Sequence, residues 1–262
     1  MKIKNFNKIF NNNQKDLSRK NVENERETII NSKTNFSVTE AYKSLRTNIL
    51  FSARENTCKK FVITSSFPSE GKTTNAINIA ISFAETGKKV LLIDGDLRKP
   101  KIHKLLDLKN KMGISNILSN VFDDESHDAI HKNVVENLDV ITSGYIPPNP
   151  IELLSSDSMK DFIKEKEDNY DYIIIDTPPV NVVSDSLVLA PLVTGYILVV
   201  RANYTEYQGV DMAMAKFEIA NIKPLGIILN DVEEYAKKYN YKKRYKYKYK
   251  YNYNYSSYHS GY

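Results

Sequence analysis

The stretch FVITSSFPSEGKTTNAINIA, residues 61–80, constrains this chain more than any other. A strand-like run ends at Ser66, a loop of small and turn-forming residues follows, and Gly71-Lys72-Thr73 opens a segment of helical character. That is the physical plan of a phosphate loop. Backbone N–H groups and the helix N-terminus cradle anionic oxygens, a lysine reaches the outer phosphates, and a threonine hydroxyl is placed for Mg²⁺. The usual spacing of two glycines is not met, because Ser66 stands where the first would be. The loop therefore needs support from elsewhere in the chain.

That support comes from the other apolar runs. FVITSS (61–66), VLLIDGD (90–96), LDVITSG (138–144), YIIIDTP (172–178), GYILVVR (195–201) and LGIILN (225–230) read as strands. Most are continuous rather than alternating, as parallel strands covered on both faces should be. Helical patterns fall between them, notably at 72–86, 150–167 and 206–221. The expected fold is α/β: an open, mostly parallel sheet of the P-loop NTPase type, flanked by helices on both faces, with ligands at the carboxyl ends of the strands. Asp94 and Asp96 then lie at one strand end. Asp176, closing a run of three isoleucines, lies at another, where an unpaired carboxylate would be costly. An apolar run ending in Asp is the pattern of an acid that serves Mg²⁺. Three strand ends thus deliver a phosphate loop and three acids to one edge of one sheet.

Outside this body the chain changes character. Residues 1–35 are rich in Asn, Lys and Glu and read as a flexible polar arm, followed by a helix from Ser37, with Ser37 as N-cap and Glu40 completing a capping box. The folded P-loop body is expected over 36–232 and a disordered tyrosine/lysine-rich tail over 233–262. The net charge of +5 belongs to that tail: its eight Lys/Arg face no acid beyond Tyr235, and without them 29 cations stand against 32 anions, or −3. The body is therefore not built as a nucleic-acid binder. The single cysteine, Cys58, excludes an internal disulfide and fits a reducing cytoplasm. No signal-peptide core and no run of 18 apolar residues is found, so a membrane connection would need a partner.

Taken together, these motifs resemble those of the bacterial tyrosine kinases that govern capsule and exopolysaccharide production. The resemblance runs from about Ser37 to Asn230 and on into the tail. It rests on SSFPSEGKTT as the Walker A loop, LLIDGDLRKP as the additional Walker A′ motif and IIIDTPPV as Walker B, with GISNIL, SGYIPPNPIELLSS and VVRANYT as further similar segments. It implies that Ser66, Pro68, Ser69, Glu70, Gly71, Lys72, Thr73 and Thr74 hold ATP. It further implies that Thr73, Asp94, Asp96 and Asp176 serve Mg²⁺, and that Lys72, Asp94, Asp96 and Asp176 carry the chemistry. Either Asp94 or Asp96 would accept the phenolic proton. The phosphoacceptors implied are Tyr245, Tyr247, Tyr249, Tyr251, Tyr253, Tyr255, Tyr258 and Tyr262, used in trans. The resemblance also implies a membrane adaptor whose cytoplasmic segment activates the enzyme, a cognate phosphotyrosine phosphatase, and a cytoplasmic protein peripheral to the inner membrane face. The family's ExxRxxR segment, used in forming a homo-oligomeric ring, corresponds to Glu40, Lys43 and Arg46; a lysine at the middle position lacks the bidentate geometry of arginine.

Two other classes fit parts of the sequence. A MinD/ParA-type partition or division ATPase shares the fold, but it usually carries a signature lysine where this chain has Ser66-Phe67-Pro68, and it gives the tail no role. A tail that sticks to RNA or anionic polysaccharide would use its interleaved aromatics and cations without any chemistry.

Overall fold

The computed structural model describes residues 22–52, 59–121 and 129–232. Cys58 and the proposed phosphoacceptor tyrosines lie outside them. In chain order the elements are α1 (Phe36–Ser52), β1 (Lys59–Ser65), α2 (Lys72–Ala84), β2 (Val90–Asp94), α3 (Ile102–Leu105), α4 (Ile114–Ser119), β3 (Ile130–Val135) and β4 (Leu138–Ile141). There follow α5 (Pro150–Leu154), α6 (Asp157–Glu167), β5 (Tyr172–Asp176), a 3₁₀ turn (Ala190–Leu192), β6 (Gly195–Arg201), α7 (Tyr207–Ile219) and β7 (Pro224–Asn230).

The seven strands form one sheet in the order β3-β4-β2-β5-β1-β6-β7, all parallel except β3, which pairs antiparallel with β4. The continuous apolar runs are explained by two cores. Along β2, Val90 and Leu92 pack on one face with α2 residues such as Ile77 and Phe83, while Leu91 and Ile93 pack on the other with Phe162 and Ile163 of α6. The alternation repeats in β5, where Ile174 joins the first core and Ile173 and Ile175 the second. Period two is present in the packing, but both faces are dry, so hydropathy does not show it. Aromatic stacks join the layers: Phe83 lies on Tyr172 at 4.1 Å, and Tyr196 on Phe217 at 3.8 Å.

The six expected strands are all present; β1, β2, β4 and β5 end one to three residues earlier than expected, and β6 and β7 end where expected. β3 is an addition. Its sequence IHKNVV is polar and half-exposed because it is an edge strand, joined to β4 through a turn in which Asn137 adopts φ 65°. The helical stretch expected at 150–167 is two helices, because Ser156 is extended and its Oγ accepts from Met159 N at 3.2 Å, starting α6 afresh. The cap of α1 is also two residues earlier than expected. Asn35, not Ser37, holds the helix start, its Oδ1 accepting from Ser37 N at 3.0 Å, while Glu40 bonds Lys43 rather than closing a capping box. The boundary expected at residue 36 likewise falls too late. Residues 22–27 are helical, Ile29 and Ile30 are buried in the first core, and Asn78 on α2 accepts from Ile30 N at 2.8 Å and donates to Thr28 O at 2.9 Å. The apolar pair Ile29-Ile30 anchors a segment whose composition is otherwise that of an arm.

Phe217 is fully buried on α7 and stacked on Tyr196. Phe217→Ala should lower unfolding free energy by about 3–5 kcal/mol, read as an earlier urea midpoint, with the phosphate-loop edge of the sheet intact.

Candidate nucleotide and phosphoryl-transfer site

Crossing from β1 to α2 requires the chain to turn back within six residues, Ser66 to Gly71. Ser69 takes φ 67° and Gly71 φ 89°, both left-handed. At Gly71 the requirement for glycine is double: a Cβ there would lie 2.1 Å from Asn230 Nδ2. Glu70, within the loop and fully buried, fixes its shape. One carboxylate oxygen accepts from Phe67 N at 3.0 Å and the other from the Thr205 hydroxyl at 2.6 Å. Asn230 Nδ2 donates to Glu70 O at 3.0 Å, and Asn75 Nδ2 to Gly71 O at 3.0 Å. The loop is thus tied to the ends of β6 and β7 before any ligand arrives.

Lys72 opens α2 and reaches across the sheet edge. Its Nζ donates to Asp96 Oδ2 at 2.8 Å and to Thr73 Oγ1 at 3.3 Å, and lies 3.7 Å from Asp176 Oδ2. Asp94 and Asp176 are register partners on β2 and β5, side by side at the strand ends. The residue between the two Walker A′ acids is glycine for a packing reason: Gly95 N donates to Asp176 O at 2.8 Å, and a Cβ would sit 2.8 Å from that oxygen. All three acids are buried. Asp94 Oδ2 accepts from Ile102 N at 3.1 Å, but Asp94 Oδ1 and both oxygens of Asp176 have no hydrogen-bond donor, and neither does Ser66 Oγ.

The charges follow from this burial. Burial and then the neighbouring Asp176 push Asp94 well above the ordinary carboxylate range. Burial pushes Asp176 up to about 6, opposed by the Lys72 ammonium and reinforced by Asp96. Burial alone would lower Lys72, but Asp176 and Asp96 outweigh it and raise it, so the ammonium persists. Three acids around one lysine leave an unmet demand for positive charge.

The donor set fits Mg²⁺ held together with a nucleotide. Orphaned oxygens on Asp94 and Asp176, with the Thr73 hydroxyl beside them, are hard ligands, and Mg²⁺ typically takes one or two carboxylates and completes its shell with phosphate and water. Among the described residues no group of three or more His, Cys, Asp or Glu side chains is placed to hold a metal ion by itself. Ser66, Pro68, Ser69, Glu70, Gly71, Lys72, Thr73 and Thr74 are brought together in the loop and first turn, and Lys72, Asp94, Asp96 and Asp176 converge at its mouth. Glu40, Lys43 and Arg46 lie on α1. Lys43 is paired with Glu40 at 2.8 Å, and Arg46 is turned onto α2, where it donates to Ser82 O and Ser82 Oγ. Thr205, Asn230 and the pair Arg98–Asp185 are contributors not singled out from sequence, although the quoted segments VVRANYT and LLIDGDLRKP carry Thr205 and Arg98.

A model of an AAA domain family, AAA_31, matches residues 61–224. The chain is 38% identical over 214 residues to a putative tyrosine-protein kinase CapB of Staphylococcus aureus, covering 81% of this chain and 93% of that one. It is 42% identical over 191 residues to the tyrosine-protein kinase YwqD of Bacillus subtilis, covering 73% and 80%. Among solved structures, the kinase domain of the Escherichia coli tyrosine kinase ETK matches with a TM-score of 0.71 at 36% identity, over 78% of this chain and 80% of that one. The chimerical protein CapA2B2 matches with a TM-score of 0.71 at 36% identity, over 76% and 86%. A Pyrococcus horikoshii septum site-determining protein MinD with Mg-ADP shares the fold, with a TM-score of 0.53 at 24% identity over 65% and 69%.

The raised Asp176 has a stability signature. Its native pKa of about 6 lies above the ordinary 3.8, so the native state binds the extra proton and stability falls as pH rises from about 4 through 6. In metal-free protein, Asp176→Asn should therefore unfold at higher urea than wild type at pH 7, the gap closing towards pH 4. A gap that does not change between those pH values would contradict the assignment of a buried carboxylate that lacks hydrogen-bond donors.

Proposed function

This chain belongs to the bacterial tyrosine kinase family and is a protein-tyrosine kinase, and we propose that it uses ATP with Mg²⁺ to phosphorylate the tyrosines of its own C-terminal cluster in trans. The observation that carries this reading is the convergence of Lys72 with Asp96 at 2.8 Å and Asp176 at 3.7 Å at the mouth of the loop. When bound, Mg·ATP supplies the electrophilic γ-phosphoryl group and part of the counter-charge. The chain's own residues do the rest. The loop amides from Ser69 to Thr74 hold phosphate oxygens at the N-terminus of α2. Lys72 exchanges Asp96 for an outer phosphate oxygen and keeps its charge while doing so. Thr73, Asp176 and the freed acids supply hard oxygens.

A tyrosine hydroxyl attacks the γ-phosphorus, the bond to the leaving ADP oxygen breaks, and the phenolic proton passes to Asp94 or Asp96. With a phenol pKa near 10, a positioned acceptor accelerates the step; most of the catalysis is placement and fixed charge. Each phosphate adds about −1.5 to −2 charge to a cationic segment, so successive transfers reverse its sign. That reversal is a route to releasing subunits from a ring. The ring contact assigned to Glu40, Lys43 and Arg46 would use the part of Arg46 not held by Ser82. Control of capsular or exopolysaccharide synthesis and export, activation by the cytoplasmic segment of a membrane adaptor, and reversal by a phosphatase complete the reading. Among the described residues no helix is long and apolar enough to cross a membrane, which suits recruitment by such an adaptor.

Two damaged chains should complement each other. Lys72→Met with its tyrosines intact, and a second chain with a normal loop ending at Val232, should each show no tail phosphotyrosine. Mixed with Mg·ATP and the adaptor segment, the Lys72→Met chain should acquire phosphotyrosine between Tyr235 and Tyr262 by mass spectrometry. An unlabelled tail, with wild type heavily labelled alongside, would exclude transfer between chains.

A further inference from the structure

Asp185 is fully buried on the segment that follows β5, and no step of the reaction above uses it. It is held by Arg98 in a two-pronged bond: Arg98 Nε donates to Asp185 Oδ2 at 2.9 Å, and Arg98 Nη2 to Asp185 Oδ1 at 3.0 Å. Arg98 lies two residues after Asp96, in the loop leaving β2, and Asp185 nine residues after Asp176, in the segment leaving β5. The pair therefore bridges the two chain segments that carry the site's acids.

Each segment has ties of its own: Asn181 Nδ2 donates to Gly209 O at 2.7 Å and Lys216 Nζ to Val180 O at 2.9 Å on one side, and Ile102 N donates to Asp94 Oδ2 at 3.1 Å and Lys101 Nζ pairs with Glu25 at 3.0 Å on the other. The Asp185 segment is stitched to β1 and to the start of the phosphate loop: Thr177 N donates to Ile63 O at 3.0 Å, Thr64 Oγ1 to Pro178 O at 2.7 Å, Val180 N to Ser65 O at 2.9 Å and Asn181 N to Ser66 O at 3.3 Å. The Asp96 loop touches β5 at its root, where Gly95 N donates to Asp176 O, and folds on itself where Lys99 N donates to Asp96 Oδ1 at 3.0 Å. Beyond Asp96 itself, Arg98 is what ties that loop across to the other side of the site. A carboxylate with no exposure and a guanidinium with only 36% exposure form a geometry that lysine cannot copy.

We infer that Arg98 and Asp185 are positioning residues that hold Asp96 and Asp176 at the separation Mg²⁺ requires. This rests on the proposed function, in which Asp176 and, once Lys72 has left it, Asp96 serve Mg²⁺. Mg²⁺ demands near-ideal octahedral geometry, so a loop free to drift by a fraction of an ångström loses metal before it loses nucleotide. Residues that orient metal ligands from behind typically change metal affinity by roughly 10–100-fold when replaced.

The test is Mg²⁺ binding itself, read by the fluorescence of a methylanthraniloyl-ADP as Mg²⁺ is titrated into the loaded full-length chain. Arg98→Lys and Asp185→Asn should raise the half-saturating Mg²⁺ about 10–100-fold. Nucleotide affinity in EDTA should change less than about twofold, and backbone hydrogen exchange should quicken at 95–101. Arg98→Gln, at a half-exposed position, gives the same readout if Asp185→Asn does not fold. Asp176→Asn is the control. If it loses Mg²⁺ while the Arg98 variants titrate like wild type, the clamp is wrong and the acids' assignment stands. If Asp176→Asn itself binds Mg²⁺ normally, the assignment fails and the clamp proposal with it.

Discussion

One buried ammonium holds the catalytic edge together. Lys72 stands among Asp94, Asp96 and Asp176 at the ends of β2 and β5, and without it the sheet would terminate in three mutually repelling carboxylates removed from water. Much of the surrounding architecture serves that arrangement. Gly95 lets β2 approach Asp176 closely, Glu70 shapes the loop that presents Lys72, and Thr205 and Asn230 hold Glu70 from the far side of the sheet. The same arrangement is poised for ligand exchange, since a cation already sits where charge must be neutralised, and two of the acids keep oxygens without donors.

What could be read from the sequence was what depends on one segment at a time. Parallel strands announced themselves because burial on both faces leaves VLLID and YIIID apolar up to the closing aspartate, and GKT after a strand is a local statement about phosphate. β3 stayed hidden because an edge strand need not be apolar. Arg98 and Asp185 stayed hidden because a pairing across 87 positions leaves no trace in either neighbourhood. The helix cap moved from Ser37 to Asn35 for a different reason: both residue types cap well, and the choice is made where the preceding segment docks, through Ile29 and Ile30. The glycine at position 95 was visible, but its cause, a carbonyl oxygen 2.8 Å from its missing Cβ, belongs to another strand.

Arg46 shows how a surface motif can be partly committed inside its own chain. Its bonds to Ser82 O and Ser82 Oγ brace α1 against α2, the helix that begins at Lys72. A subunit contact drawing on this arginine would act on the helix whose first turn holds the phosphate lysine.

The last strand ends at Asn230, whose side chain donates to Glu70 O in the phosphate loop at 3.0 Å. That bond closes over 160 positions of chain. The loop that presents Lys72 therefore takes its final shape only when β7 lies beside β6, so the site is completed by one of the longest-range contacts of the described body and should be assembled late in folding.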